Sequence, residues 1–412
     1  MSVRKRVWAN GKGVEKEAWV VTYTDAKGTR RLKTFKLKKL ADVFAATASV
    51  EIREGTHIAD RASVTVKKAG AFWIATGEHD ELERSSIDQR KRHLKLHIEP
   101  FIGTTLLSQL TVPAVREFAD KLREDGRSQV MIRKVIVSLG SLLSDAQERG
   151  LATRNPVKEL RAARRKGKER QADKRQKGKL KVGVDIPNGE EIKAIVATAK
   201  GRWRPLLIAA VFTGMRSSEL RGLRWIDVDF ERGEINVHQR ADDFGEIGPP
   251  KSDAGERAIP VPPIVISALK EWKLACPRRS TGRHDANGNS VKELHYVFPN
   301  GSGNIESRSN IIKRGFLPTQ IDAGVVVATD KTDDEGNIVM AAKYGGMHAL
   351  RHFYASWSIN RPRDGGLGLP CNVVQKRLGH SSIVMTMDVY GHLFPRGDDA
   401  DEMALAERAL LG

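Results

Sequence analysis

The sequence predicts a multidomain chain that is mainly α with small β-sheets: an N-terminal β-β-β-α unit, a helical bundle and a mixed α/β C-terminal domain. Three observations predict it. The 412 residues exceed one compact domain of ordinary size. Helical periodicity dominates residues 63–156, and a cationic run near the middle is too poor in apolar side chains to bury a core. The boundaries that follow are 1–62, 63–160, a linker at 161–183, and 184–412.

In the first unit AWVVTYT places Trp19, Val21 and Tyr23 on one face of a strand, DAKG supplies a turn, and RRLKTFKL returns as another strand. Leu40, Val43, Phe44 and Thr47 recur at helical spacing, so a helix is expected to cover the sheet. In the second unit Ile132, Val135, Ile136, Leu139 and Leu143 follow one helical face. LTVPAVREFADKLREDG has a proline early and a glycine at its end, as a helix with defined ends requires. About four helices are expected. The segment RSSIDQRKRHLKLH collects cations on one of them, either a phosphate-facing surface or a solubilising one.

The net charge is +19, from 70 Lys and Arg against 51 Asp and Glu, which favours a polyanionic partner and makes nucleic acid the first candidate. Residues 161–181, RAARRKGKERQADKRQKGKLK, hold eleven Lys or Arg and two acidic residues, nearly half of that excess. Such a strap can follow a phosphate backbone and release counterions as it binds. Replacing several of its cations by glutamine is expected to flatten the salt dependence of DNA binding; an unchanged slope would make the linker inert.

No apolar stretch follows the basic start MSVRKRVWANGKG to act as a signal peptide, and PLLIAAVFTGM, Pro205 to Met215, is too short for a bilayer. A cytoplasmic protein with no membrane partner is expected. Two cysteines, Cys276 and Cys371, give neither a disulfide framework nor a cysteine metal cage. There is no Gly-rich phosphate loop ending in Lys-Ser or Lys-Thr.

In the C-terminal domain Ile192, Ile195, Val196 and Ala199 mark one helix and PLLIAAVF a more buried one. IDVDF, EINVH and RAIPV are short strands, with GPPKSDAGE as a polar turn. Helices resume around Ser307, at His348 to Ile359, at Val373 to Leu378 and in DEMALAERALL. Four motifs stand out here: TGMRSSEL with Arg216, MHALRHF with His348 and Arg351, LGHSS with His380, and DVYGH with Tyr390. His348 and His352 stand at i, i+4, which raises a zinc reading. A zinc protease would carry glutamate where Ala349 stands, and no third ligand is evident, so no metal is expected.

Taken in this order, with Lys251 in the turn between the first two, these motifs resemble the tyrosine recombinases, the phage-integrase family. The resemblance covers the C-terminal half. It makes the bundle similar to a core-binding domain and the first unit similar to an arm-type DNA-binding domain, both with weaker motifs. It implies a site-specific DNA recombinase that cleaves and rejoins DNA through a 3'-phosphotyrosyl intermediate, integrating a phage or mobile element. The partners implied are double-stranded DNA with specific attachment sites, a homotetramer on DNA and an accessory directionality or DNA-bending protein, on the nucleoid of a bacterial host.

The chemistry asks for such a set. A phenol that attacks a phosphodiester keeps the bond energy in a phosphotyrosyl link, so no cofactor is needed. Charge builds on the non-bridging oxygens, and Arg216 and Arg351 suit them because guanidinium donors match two oxygens. A phenol with a pKa of about 10 needs a proton acceptor, for which His348 is the candidate and Tyr390 the nucleophile. The resemblance implies Lys251 as proton donor to the leaving oxygen, with Lys270 and Lys292 as alternatives, and His380 as a hydrogen-bond donor to the phosphate. A resolvase-like or topoisomerase-like enzyme, and a DNA-binding regulator without catalysis, are the rival readings.

Three stretches look inserted: 278–294, 325–346 and 361–370. The second reads as a hairpin with DDEGN at its tip, projecting into solvent. The tail helix around Met403 to Leu411 has two open readings, docking on an adjacent protomer or packing within its own chain.

Overall fold

The computed structural model describes residues 1–9, 15–25, 28–53, 63–164, 179–394 and 399–411. The chain divides into two compact units, Met1–Gln171 and Ala172–Gly412, and the division falls inside the cationic run. Most of that run, 165–178, lies outside the described residues.

The first unit begins with the antiparallel sheet β1 (Ser2–Ala9), β2 (Glu15–Thr24) and β3 (Arg30–Phe35), in that order. The register pairs Val3 with Val21 and Trp19 with Phe35, so these residues share one face. Helix α1 (Lys38–Arg53) covers it. The covering face is not the expected one: Leu40 and Val43 are exposed, while Ala41, Phe44, Ala45 and Ile52 pack on the sheet. Small alanines let the helix approach closely, and the large aliphatics that mark the periodicity look outward.

The bundle follows as α2 (Val66–His79), α3 (Arg84–His93), α4 (Glu99–Ile102), α5 (Val112–Glu124), α6 (Gln129–Glu148) and α7 (Pro156–Arg164). A π turn, Leu94–Ile98, joins α3 to α4. Thr65, Thr111 and Ser128 cap the starts of α2, α5 and α6 through their side-chain oxygens. Ile132, Val135, Leu139 and Leu143 of α6 are buried as their spacing predicts. Val157 and Leu160 of α7 enter the same core, and the helix itself runs on to Arg164, past the expected boundary at residue 160 and into the stretch assigned to the linker. At the other end of that stretch Leu180 packs in the second unit against Tyr354, Val374 and Tyr390, and Val182 bridges to the buried Ile186. The C-terminal end of the stretch expected as a linker thus carries apolar side chains that the charge average hides.

The second unit opens with α8 (Gly189–Thr198), started by a reciprocal cap between Asn188 and Glu191, and α9 (Trp203–Thr213). Leu207, Ile208 and Val211 of α9 are wholly buried, each contributing roughly 1.5–3 kcal/mol of transfer free energy. After α10 (Ser217–Gly222) come the strands β4 (Val228–Asp229), β5 (Glu234–Val237), β6 (Arg240–Ala241), β7 (Ile247–Gly248) and β8 (Arg257–Pro260). They form an antiparallel sheet in the order β4-β5-β8, with Ile235 opposite Ile259 in the core, and the separate pair β6-β7. Helix α11 (Pro263–Ala275) packs against α9.

Two of the stretches read as insertions are exposed hairpins: β9 (Arg279–His284) with β10 (Ser290–Glu293), and β11 (Val326–Thr332) with β12 (Ile338–Ala342). The DDEGN tip closes the second, with Asp333 accepting the backbone N–H groups of Glu335 and Asn337. The stretch 361–370 folds around a 3-10 turn, Pro362–Asp364. The remaining helices are α12 (Leu317–Asp322), α13 (His348–Ile359), α14 (Cys371–Leu378), α15 (Ile383–Tyr390) and α16 (Asp399–Leu411). Among the described residues no helix is long and apolar enough to cross a membrane.

Candidate active site

The side chains singled out in the sequence come from three helices and the turns between them. Helix α9 must stop where Arg216 begins, and Gly214 stops it in the left-handed conformation, φ +59°. A Cβ there would lie 2.4 Å from Cδ1 of Tyr354, so only glycine fits. Its carbonyl accepts from Nη1 of Arg351 at 2.7 Å, and Nη2 of Arg351 donates to the carbonyl of Leu378 at 2.6 Å. Arg351 thus ties the end of α9 to the end of α14 with only 2% of its surface exposed. Burial pulls its pKa down to about 10, with Arg216 adding to the fall, and it remains a cation at neutral pH.

Arg216 is held by two groups. Nη1 donates to Glu219 at 2.7 Å and Nη2 to the carbonyl of Gly379 at 2.9 Å. Gly379 ends α14 with φ +65°, and a Cβ there would meet Nη1 of Arg257 at 2.8 Å. The glycine of the LGH motif therefore lets the chain close over two arginines. Glu219 is 1% exposed and also receives Nη2 of Arg257 at 2.9 Å. Burial pushes its carboxyl up, but Arg257 and Arg216 outweigh that and hold it below the usual range. Arg257 in turn donates through Nε to the carbonyl of Arg377. Neither Glu219 nor Arg257 was selected from sequence. Glu219 lies inside TGMRSSEL, three residues after Arg216, but the partner it shares is 38 residues away.

Each bound Nη of Arg216 and Arg351 has a second N–H, and among the described contacts neither Nε–H has a partner, so both guanidiniums have donors to offer an anion. Beside them His348 and His352 stand one helical turn apart on α13, rings 4.6 Å between centroids. His352 Nδ1 lies 2.7 Å from the hydroxyl of Tyr390. The residue on the phenol is thus His352, the one weighed only as a zinc ligand, while His348 packs edge-on against the His352 ring. The extra turn of helix places His352 nearer the C-terminal end of α15. His380 lies parallel to the Tyr390 ring at 6.3 Å, and its Nδ1 meets Thr386 Oγ1 at 2.9 Å. His392 points elsewhere, its Nε2 donating to the carbonyl of Leu180.

Lys251 does not join the cluster. It is exposed on the turn after β7, and among the described contacts it has no hydrogen bond or ion pair. Of the two other lysines weighed, Lys270 lies exposed on α11 and Lys292 exposed on β10.

Burial pushes the Tyr390 phenol up to about 12, against the pull of Arg351 and Arg216. It also lowers the three imidazoles: His352 falls to about 4, helped by His348 and Arg351, His380 falls to about 4, helped by Arg351 and Arg216, and His348 falls below its ordinary value, helped by the same two arginines. All three are neutral at pH 7 and able to accept a proton. Their folded values lie below the free value of 6.5, so as pH falls the unfolded chain protonates first. Stability is expected to be intact above pH 6.5 and to be lost progressively toward pH 4. Thermal melts at pH 7 and pH 4.5 check this: the drop in Tm should be smaller in His352→Gln than in the parent.

The sequence model described as the phage integrase family matches residues 188–396, half of the chain. The chain is 28% identical over 295 residues to a XerC-like tyrosine recombinase of Caldanaerobacter subterraneus subsp. tengcongensis, covering 68% of this chain and 67% of that one. The Tn1549 transposon integrase, solved as residues 82–397 in complex with transposon right end DNA, aligns with a TM-score of 0.60 at 20% identity, over 84% of this chain and 100% of that one. A lambda integrase tetramer bound to a Holliday junction aligns with a TM-score of 0.52 at 16% identity, over 91% and 95%. The last two likenesses are of fold. The chain belongs to the phage integrase family, the tyrosine recombinases, enzymes that cleave and rejoin DNA.

Proposed function

We propose that this recombinase integrates a mobile element at specific attachment sites, with Tyr390 as nucleophile, and that it does so as a homotetramer. The observation that carries the reading is the Tyr390 hydroxyl resting 2.7 Å from a neutral imidazole beside two fixed guanidiniums. In the reaction the phenol oxygen bonds to phosphorus and the deoxyribose oxygen leaves, giving a 3'-phosphotyrosyl link and a free 5'-hydroxyl. Arg216 and Arg351 hold the non-bridging oxygens.

The phenol at about 12 and His352 at about 4 make a preformed phenolate costly, on the order of 10 kcal/mol. Proton transfer to Nδ1 of His352 therefore accompanies attack, as the phenol oxygen acidifies on bonding to phosphorus. His348, lowered by burial and then by Arg351 and Arg216, is assigned to the same anion. His380 is assigned to the phosphate, and Lys251 to protonating the leaving oxygen, which requires its turn to fold inward on DNA. Tyr390 is 1% exposed, so the phenol is stored and α15 must yield for phosphorus to reach it. Ile383, Val384, Met385 and Met387 are half-exposed along α15, so that side of the helix is held by few contacts.

Recombining two duplexes needs four strand cuts, and each protomer supplies one phenol; four copies follow. Residues 1–62 are assigned to arm-type sites, 63–160 to the core site, and an accessory directionality or DNA-bending protein to the choice of direction, all on the bacterial nucleoid. The test is incubation with a nicked duplex carrying the site, followed by peptide mapping of the protein-DNA adduct. Attachment at Tyr390 is expected. No adduct would leave a DNA-binding regulator, and turnover without a second site a relaxing enzyme.

A further inference from the structure

Arg308, an exposed cation of the second unit, has no part in the mechanism above. Glu306 is 3% exposed and anchors the start of a helical stretch. It pairs with Arg202, and its Oε1 accepts from Ser307 N at 2.8 Å and Asn310 Nδ2 at 3.1 Å. Its carbonyl accepts from Nε of the buried Arg221 at 2.6 Å, and Arg221 also donates to the carbonyl of Asp242 at 2.8 Å. The backbone at Arg308 is thereby held between α10 and the β6-β7 hairpin. The Arg308 side chain is not so bound. It is 58% exposed, and the ion pair it makes is with Asp243 at 3.8 Å, beyond hydrogen-bond reach, on a carboxylate 59% exposed.

A rigid base under a loosely engaged guanidinium is a costly arrangement for mere solubility. An exposed pair at that distance is worth under about 1 kcal/mol. The field of Arg308 nevertheless reaches His348 and, with Arg351 and Arg216, helps keep that imidazole neutral. Arg221, which holds the backbone beside Arg308 through the carbonyl of Glu306, belongs to α10, the helix that starts directly after Arg216, so the group lies against the helix that follows one of the two anion-binding guanidiniums.

Resting on the function proposed above, we infer that Arg308 is a DNA-backbone contact beside the reacting phosphate, and that Asp243 occupies its guanidinium until a phosphate oxygen replaces the carboxylate. The exchange is favourable because phosphate offers closer, bidentate acceptance than a carboxylate at 3.8 Å.

The test uses the full chain in a Tyr390→Phe background, so that no cleavage enters the measurement. Its probe is a short duplex bearing the cleavage site, recovered by sequencing DNA trapped on the parent protein. Binding is followed by fluorescence anisotropy across a salt series. Arg308→Gln should weaken binding, by about tenfold at low salt, and reduce the slope of log K against log salt by about one. Arg308→Lys should restore the slope. Asp243→Asn should bind more tightly than its parent at low salt, because it removes a competing carboxylate and a negative charge near DNA. An unchanged slope in Arg308→Gln with an unchanged thermal melt, or Asp243→Asn binding no tighter than its parent, overturns the inference. These readouts are independent of whether Tyr390 is the nucleophile.

Discussion

Tyr390→Phe is expected to bind a site-bearing duplex with a Kd within about a factor of two of the parent and to form no covalent complex at all. The two halves have separate causes. Affinity for DNA comes from cations spread over the chain, and the phenol hydroxyl, 1% exposed against His352, contributes none of it. Covalent attachment needs an oxygen at the end of that ring, and phenylalanine has none. His352 does not substitute: its Nδ1 is turned to the Tyr390 hydroxyl position, inside the fold. The fold should register the change only slightly. Losing the hydroxyl leaves one imidazole nitrogen unpaired, which costs about 1–3 kcal/mol. Denaturing gels of protein trapped on a nicked duplex read the adduct, and anisotropy reads the affinity. An adduct formed by the Phe variant would assign the nucleophile to another residue.

Much of this site was readable before the structure, because its members sit in short motifs whose local form dictates them. The Gly379-His380 pair ends a helix, Gly214 ends another just before Arg216, and His348 and Arg351 share a helical face. What the sequence did not disclose are pairings across distance. Arg257 stands in a strand that reads as RAIPV, and nothing local says that its guanidinium spans from Glu219 to the carbonyl of Arg377. The choice between His348 and His352 also needs the position of α15, since both residues satisfy the same spacing. In the fold, the strand order β4-β5-β8 follows from three short apolar stretches, but the inward face of α1 does not. Alanine packing against a sheet leaves no mark in a hydrophobic periodicity dominated by Leu40 and Val43. Leu180 is hidden for a related reason: one apolar residue is outvoted by the cations around it, yet it packs half-buried against the core.

Glu219→Ala is expected to destabilise the second unit by about 3–5 kcal/mol, since it leaves buried guanidiniums without their carboxylate. Arg257 is 6% exposed and Arg216 25%, and both direct a donor at Glu219. For a unit of this size the loss corresponds to roughly a 10 °C fall in Tm. Activity should fall as well, because Arg216 keeps only the carbonyl of Gly379 as an anchor. Losing one fixed donor to a developing oxyanion costs on the order of a hundredfold to a thousandfold in rate. The two effects can be separated. Pairing Glu219→Leu with Arg257→Met replaces a buried ion pair by apolar side chains of similar volume, a change often neutral or stabilising, so most of the lost Tm should return. Cleavage should not return with it, since Arg216 still lacks the carboxylate that aims it. If the double variant regained cleavage together with stability, Glu219 would be a matter of folding alone, and Arg216 would be placed by Gly379 without help.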